Sequence, residues 1–178
     1  MKTLLISTCN HGLSNREFVL PISEILGKNE HDIIYFEDCS ELSGYDKIII
    51  CGTSLQDFSY VEWLPFFDDL LKKYTGPILG ICSGMQILTS IFGTSGLIDN
   101  VEIGLVEVKT LESNKLFRGK FQAYNLHNYS VQDCDKFTVL AKSETSIQAV
   151  KHVTREIYGI SFHPEVRNEK IISNFLKI

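Results

Sequence analysis

Two short stretches hold residue types that can do chemistry together. The first is Gly80-Ile81-Cys82-Ser83-Gly84. It follows an apolar run and precedes a segment of helical period, so the spacing predicts a tight strand-to-helix turn with a cysteine at its tip. Glycines on both sides remove Cβ atoms that would clash in such a turn. The cysteine is thrust out at the carboxyl end of its strand, and the helix that follows points its N-terminal N–H groups at the sulfur, where they favour negative charge. The Ser83 N–H then faces the place where an oxyanion would form. The second stretch is Phe162-His163-Pro164-Glu165-Val166, again just after an apolar run. A thiol nucleophile needs a partner that moves protons near neutral pH, and an imidazole oriented by a carboxylate supplies this. Each stretch has a plain alternative: a buried cysteine at a Gly-flanked strand end, and a surface histidine beside a helix-starting proline. Together they point to nucleophilic catalysis by Cys82, His163 and Glu165.

The elements that must position these residues follow from hydropathy patterning. Residues 2–8, 31–36, 46–51 and 76–82 are apolar runs without alternation, the mark of strands buried on both faces of a parallel sheet. Between them, residues 14–26, 59–74 and 84–92 have helical period. Ser14 and Glu17 are spaced as a capping box for the first of these, and Pro21 lies inside it. Beyond residue 100 the texture changes: 102–110, 121–126, 137–142, 146–151 and 156–162 read as shorter strands, and 168–176 as a closing helix. The expected fold is α/β, a mostly parallel central sheet flanked by helices, with a strand-rich, partly antiparallel C-terminal half. No linker divides the chain, so residues 1–178 read as one domain.

Composition limits the alternatives. The 178 residues are 44% hydrophobic and 22% charged, the mix of a folded globular chain. The formal net charge of −5 offers no basic footprint for nucleic acid. The apolar run at the N-terminus is too short for a signal peptide, and no stretch approaches the roughly 18 apolar residues of a membrane span. No membrane partner and a cytoplasmic location are therefore expected. Five cysteines with no C-x-x-C pair suit reduced thiols better than disulfides or a zinc site, so no metal is expected.

The motif Pro77-Ile78-Leu79-Gly80-Ile81-Cys82-Ser83-Gly84-Met85-Gln86, with Phe162-His163-Pro164-Glu165-Val166, resembles the class I (triad) glutamine amidotransferases, in residue types, order and separation. The resemblance runs from the first strand to the last helix, and implies a flavodoxin-like sheet. Within the family the chain is most similar to the glutaminase part of GMP synthases, through Glu102-x-Gly104, Leu116-Phe117-x-Gly119 and residues 149–159. What the resemblance implies is hydrolysis of glutamine to glutamate and ammonia by a Cys82-His163-Glu165 triad through a glutamyl thioester, without a cofactor. It also implies an oxyanion hole from the N–H groups of Ser83 and Gly52, and a substrate pocket at Gln86 and at His127, Asn128 and Tyr129. Two positions depart from the pattern. Cys51-Gly52-Thr53-Ser54 has one glycine and no proline where the family has Gly-Gly-Pro or Pro-Gly, and Tyr129 stands where the GMP synthase subgroup has Asp. The ammonia would pass to a separate synthetase subunit, since no G-x-x-x-x-G-K-[ST] loop or other nucleotide site is evident. Two further readings stay open: a cysteine hydrolase of γ-glutamyl compounds, and a catalytically idle regulatory module of the same fold. A flavin site at residues 8–14 would leave both motifs unexplained.

Overall fold

The computed structural model describes residues 1–93, 96–132 and 134–178. Nine strands form a single mixed sheet in the order β2-β1-β3-β4-β9-β8-β7-β5-β6. The first five are β2 (His31–Tyr35), β1 (Thr3–Ser7), β3 (Lys47–Ile50), β4 (Ile78–Ile81) and β9 (Ile157–Ile160), and they pair in parallel. From β9 outward, β8 (Ile147–His152), β7 (Phe137–Lys142), β5 (Gly96–Thr110) and β6 (Lys120–Gln132) pair antiparallel. The sheet is therefore mixed, with the parallel strands gathered at one end.

The apolar runs behave as their pattern predicts where neighbours flank them. β1, β3, β4 and β9 are buried along their whole length. Alternate residues serve opposite faces. Leu5, Ile49 and Leu79 meet Phe18, Ile22 and Phe175 on one side; Leu4, Ile48 and Ile78 meet Phe67, Leu71 and Leu88 on the other. The run at 31–36 differs, because β2 is the end strand: Ile33 and Tyr35 are exposed.

Several helix expectations are corrected. The segment 14–26 is two helices, α1 (Gly12–Phe18) and α2 (Leu20–Leu26). Pro21 has no N–H to give to the Glu17 carbonyl one turn back, but sits without penalty in the first turn of α2. Since α1 starts before Ser14, that residue is buried inside the helix and the capping box does not form. The segment 59–74 is a 3₁₀ turn at Ser59–Val61 followed by α3 (Leu64–Lys73), with Pro65 in its first turn. Helix α4 (Ser83–Phe92) starts directly after Cys82, and α5 (Lys170–Phe175) closes the chain as described.

The second half holds longer strands than expected. β5 and β6 form a hairpin of 15 and 13 residues, and a register shift between Asp99 and Glu102 interrupts the alternation that would reveal β5 in sequence. No helix among the described residues is long and apolar enough to cross a membrane.

Candidate active site

In a parallel sheet of this order, ligands sit outside the carboxyl ends of the strands. Four such ends converge here: Thr8 after β1, Cys51–Ser54 after β3, Cys82 after β4 and Ser161–His163 after β9. Cys82 has φ 50° and ψ −103°, a left-handed backbone that a residue with a Cβ adopts only under constraint. The constraint is close packing. A Cβ on Gly80 would lie 2.4 Å from the Gly84 backbone, and one on Gly84 would lie 2.4 Å from the Ile50 carbonyl oxygen. The two glycines let β4, α4 and β3 approach closely enough to hold the turn.

Gly52 makes room for the histidine. A Cβ there would stand 2.7 Å from His163 Cε1 and 3.4 Å from Cys82 Cβ, so both side chains flank one glycine. His163 is fully buried, backed by the Phe18 ring at 5.2 Å, and its Nδ1 lies 2.7 Å from Glu165 Oε1. Pairing Nδ1 with the carboxylate leaves Nε2 for the sulfur. Desolvation disfavours the imidazolium, but the Glu165 carboxylate and the Cys82 sulfur outweigh it and raise His163 to about 10. The His163 N–H donates to the Tyr124 carbonyl at 2.8 Å, and the Cys82 thiol donates to the Leu126 carbonyl at 3.7 Å, so the free edge of β6 lies over the pair.

The loop after β3 is held by side chains. Cys9 Sγ donates to the Gly52 carbonyl at 3.7 Å, and Thr53 Oγ1 donates to Asp57 Oδ2 at 2.6 Å, which also accepts the Asn10 N–H at 3.2 Å. Burial works against a charged Asp57, but these bonds hold its carboxyl below the usual range. The Gly52 carbonyl points to Cys9, and a trans peptide sets the Thr53 N–H the opposite way. Ser83 opens α4, where the first N–H groups have no intrahelical acceptor. Thr8 Oγ1 and Ser83 Oγ both donate to the Cys51 carbonyl, at 3.1 and 3.2 Å, tying the ends of β1, β3 and α4 together.

A cavity beside Cys82 is lined by Thr53, Leu55, Phe58, Tyr60 and Ser83, and by Gln86, Leu126, His127, Asn128 and Tyr129. All four residues expected to bind substrate therefore come to the nucleophile, but their side chains are already engaged. Gln86 Oε1 accepts from Tyr60 Oη at 2.6 Å, and its Nε2 donates to the Tyr129 carbonyl at 3.2 Å. Asn128 Nδ2 donates to the Leu55 carbonyl at 3.3 Å, and the Tyr129 ring packs edge-on against Phe58 at 4.9 Å. The His127 imidazole is turned into a polar cluster, with Nδ1 on the Asn100 carbonyl and Nε2 3.2 Å from Glu102 Oε2. His127, Asn128 and Tyr129 lie within β6. The cavity that remains is about 20 Å³, room for about one water and too little for glutamine.

Sequence reading missed Thr8, Thr53, Tyr60 and Leu126. Thr8 had one usable signal, its place just beyond an apolar run. The contributions of Thr53, Tyr60 and Leu126 depend on folding of loop 53–60 and of β6.

Residues 6–177 match the model of the family "Glutamine amidotransferase class-I". The chain belongs to the class I glutamine amidotransferases. The glutamine-hydrolyzing GMP synthase subunit of Pyrococcus abyssi is 40% identical over 80% of this chain and 79% of its own. That of Methanosphaera stadtmanae is 38% identical over 95% and 91%. Among solved structures, a Thermoplasma acidophilum protein assigned to the same GMP synthase subunit superposes with a TM-score of 0.86 at 25% identity, covering 99% of this chain and 92% of that one.

Proposed function

We propose that this amidotransferase domain, residues 1–178, hydrolyses glutamine to glutamate and ammonia through a Cys82-His163-Glu165 triad. The observation that carries the reading is the meeting of the Cys82 turn and the buried His163–Glu165 pair at Gly52. Cys82 passes its thiol proton to His163 Nε2, and Sγ attacks the side-chain amide carbon of glutamine. The tetrahedral oxyanion is met by the Ser83 N–H and by the backbone of the loop at Gly52, whose carbonyl Cys9 holds. As the C–N bond breaks, His163 Nε2 gives its proton to the leaving ammonia and a glutamyl thioester remains. Water then attacks the thioester, His163 takes a proton from it, and glutamate leaves with the Cys82 sulfur restored. Glu165 keeps the imidazole oriented through both steps and stabilises its charge whenever Nε2 carries the proton. Gln86, His127, Asn128 and Tyr129 form the glutamine pocket, His127 through its backbone.

The ammonia passes to a separate synthetase subunit of the GMP synthase type. The names of the Pyrococcus and Methanosphaera relatives support this choice, and a cavity this small supports a pocket that opens when the partner docks. The free thiols of Cys9, Cys39, Cys51 and Cys82 suit a reducing compartment, the cytoplasm.

The test is glutamate and ammonia release by the wild type and by Cys82→Ala, each with and without the candidate synthetase. We expect loss of about 10⁴-fold or more in Cys82→Ala. Equal output from the two proteins removes the catalytic assignment. Full turnover by the isolated chain, unchanged by any synthetase, removes the partner.

A further inference from the structure

The chemistry above leaves one well-made polar cluster unused. Glu102 sits at the register shift of β5, directly opposite His127 on β6, and is only 8% exposed. Its Oε2 accepts from Asn125 Nδ2 at 2.8 Å, Ser146 Oγ at 2.7 Å and Gln148 Nε2 at 2.8 Å, with His127 Nε2 at 3.2 Å. Its Oε1 accepts from Ser143 Oγ at 2.9 Å and from Thr145 Oγ1. One carboxylate thus joins β5, β6, β8 and the turn between β7 and β8. A buried charge so fully supplied is costly to disturb, because each lost partner leaves an unsatisfied group behind.

The position of this cluster relates it to the reaction. Side chains alternate along a strand, so Asn125 and His127 face Glu102 together while Leu126 between them faces the other way. The Leu126 carbonyl is the group that receives the Cys82 thiol, and Asn128 and Tyr129 follow at the cavity wall. β6 is the last strand of the sheet and, among the described residues, has β5 as its one strand neighbour. Its depth over the nucleophile is set from two sides: by the His163, Gln86 and Leu55 contacts toward the core, and by what grips it from β5. Glu102 grips both neighbours of Leu126.

We infer that Glu102 is a positioning residue for glutamine binding: by holding Asn125 and His127 it sets β6 at the depth where Leu126, Asn128 and Tyr129 form the wall opposite Cys82. This rests on the glutaminase reading, and it adds a residue that touches neither substrate nor nucleophile.

The test reads glutamine binding separately from thiol reactivity and from folding. Cys82 in the full chain, with the candidate synthetase present, is alkylated with iodoacetamide across a glutamine titration, and thermal unfolding of the chain is followed in parallel. In Glu102→Gln, an amide replaces an acceptor on which N–H donors converge. The glutamine concentration that gives half protection is expected to rise about tenfold, equivalent to about 1.4 kcal/mol. The alkylation rate without glutamine stays within about twofold. Ser146→Ala removes a cluster partner that is not on β6, and is expected to lower the Tm while moving the half-protecting concentration less than about twofold. An unchanged half-protecting concentration in Glu102→Gln, or an equal rise in Ser146→Ala, overturns the role of Glu102. If Glu102→Gln shows no folding transition, Asn125→Ala decides: about a tenfold rise upholds the inference and no rise overturns it. A wild type that glutamine does not protect overturns the glutaminase reading itself, and the inference with it.

Discussion

The two sides of the active site are built by different physics. The nucleophile side belongs to the parallel strands β1, β3, β4 and β9, which are buried throughout and meet helices on both faces. There the position of Cys82 follows from backbone contacts that admit only glycine at 80 and 84. The substrate side belongs to the β5–β6 hairpin. Val101, Ile103 and Leu105 on β5 are exposed; Val108, Ala123 and Val131 join the core, but beside the cavity the hairpin meets loop 53–60 and Gln86 through polar side chains and one aromatic pair. The difference teaches that one wall is core throughout, while the other is held beside the cavity by a few separable bonds. With glutamine beside Cys82 as proposed, the second wall is the one to yield, since the space there is about 20 Å³.

Substitutions can break this contrast. The largest effect is expected at Gly84→Ala. The new methyl would stand 2.4 Å from the Ile50 carbonyl oxygen, a backbone atom that cannot turn aside. We expect a loss of about 3 kcal/mol in unfolding free energy, measured by denaturant titration. A stable, fully active Gly84→Ala would show that the nucleophile side is not rigid.

Glu165→Gln comes next, on the same side but without a packing change. With the carboxylate gone, His163 loses the partner that counters its desolvation. Turnover should fall about 10²-fold or more. The alkaline limb of the pH–rate profile, set by an imidazole near 10, should move to lower pH. The sign for stability is the same. A histidine raised on folding contributes stability that is complete below its unfolded pKa of about 6.5 and is lost as pH climbs through the folded value. An unmoved alkaline limb would separate Glu165 from the imidazole.

On the hairpin side the expected effect is smaller and opposite in kind. Phe58→Ala removes the ring that packs on Tyr129 at the mouth of the cavity. Phe58 is already 36% exposed, so unfolding free energy should drop by no more than about 1.5 kcal/mol. Alkylation of Cys82 by a bulky maleimide should quicken about tenfold as the wall loosens. No change in that rate would mean that the aromatic pair does not close the site.

The smallest effect concerns acid. Burial raises the Glu102 carboxyl, but hydrogen bonds from His127, Thr145, Ser146 and Ser143 outweigh it and hold the group below its ordinary range. A carboxyl lowered on folding contributes stability above its unfolded pKa of about 4.3, and that stability is lost as pH falls toward the folded value. Below about pH 4.3 the wild type should lose stability more steeply than Glu102→Gln in a pH series of thermal scans. Parallel slopes would remove the charge from the account of the hairpin.

Residue order alone made Cys82, His163 and Glu165 legible, because a nucleophile turn and a His-Pro-Glu corner are local patterns. The buried strands were legible too, as unbroken apolar runs at 2–8, 46–51 and 76–82. Less could be read where local and distant demands differ. Pro21 divided a helix whose apolar period runs through it. The Asp99–Glu102 register shift hid the first part of β5, residues 96–101, and no local signal told that the His127 imidazole faces Glu102 across the hairpin.

The sequence by itself thus determined which atoms can react and which strands lie inside, since glycine spacing and hydropathy act through near neighbours along the chain. Only the tertiary structure decided that Cys82 and His163, 81 positions apart, share Gly52, that Glu102 grips β6, and that the space beside Cys82 is narrow. Those are contacts between distant segments. They depend on how the hairpin folds back over the sheet, and no local pattern encodes that path.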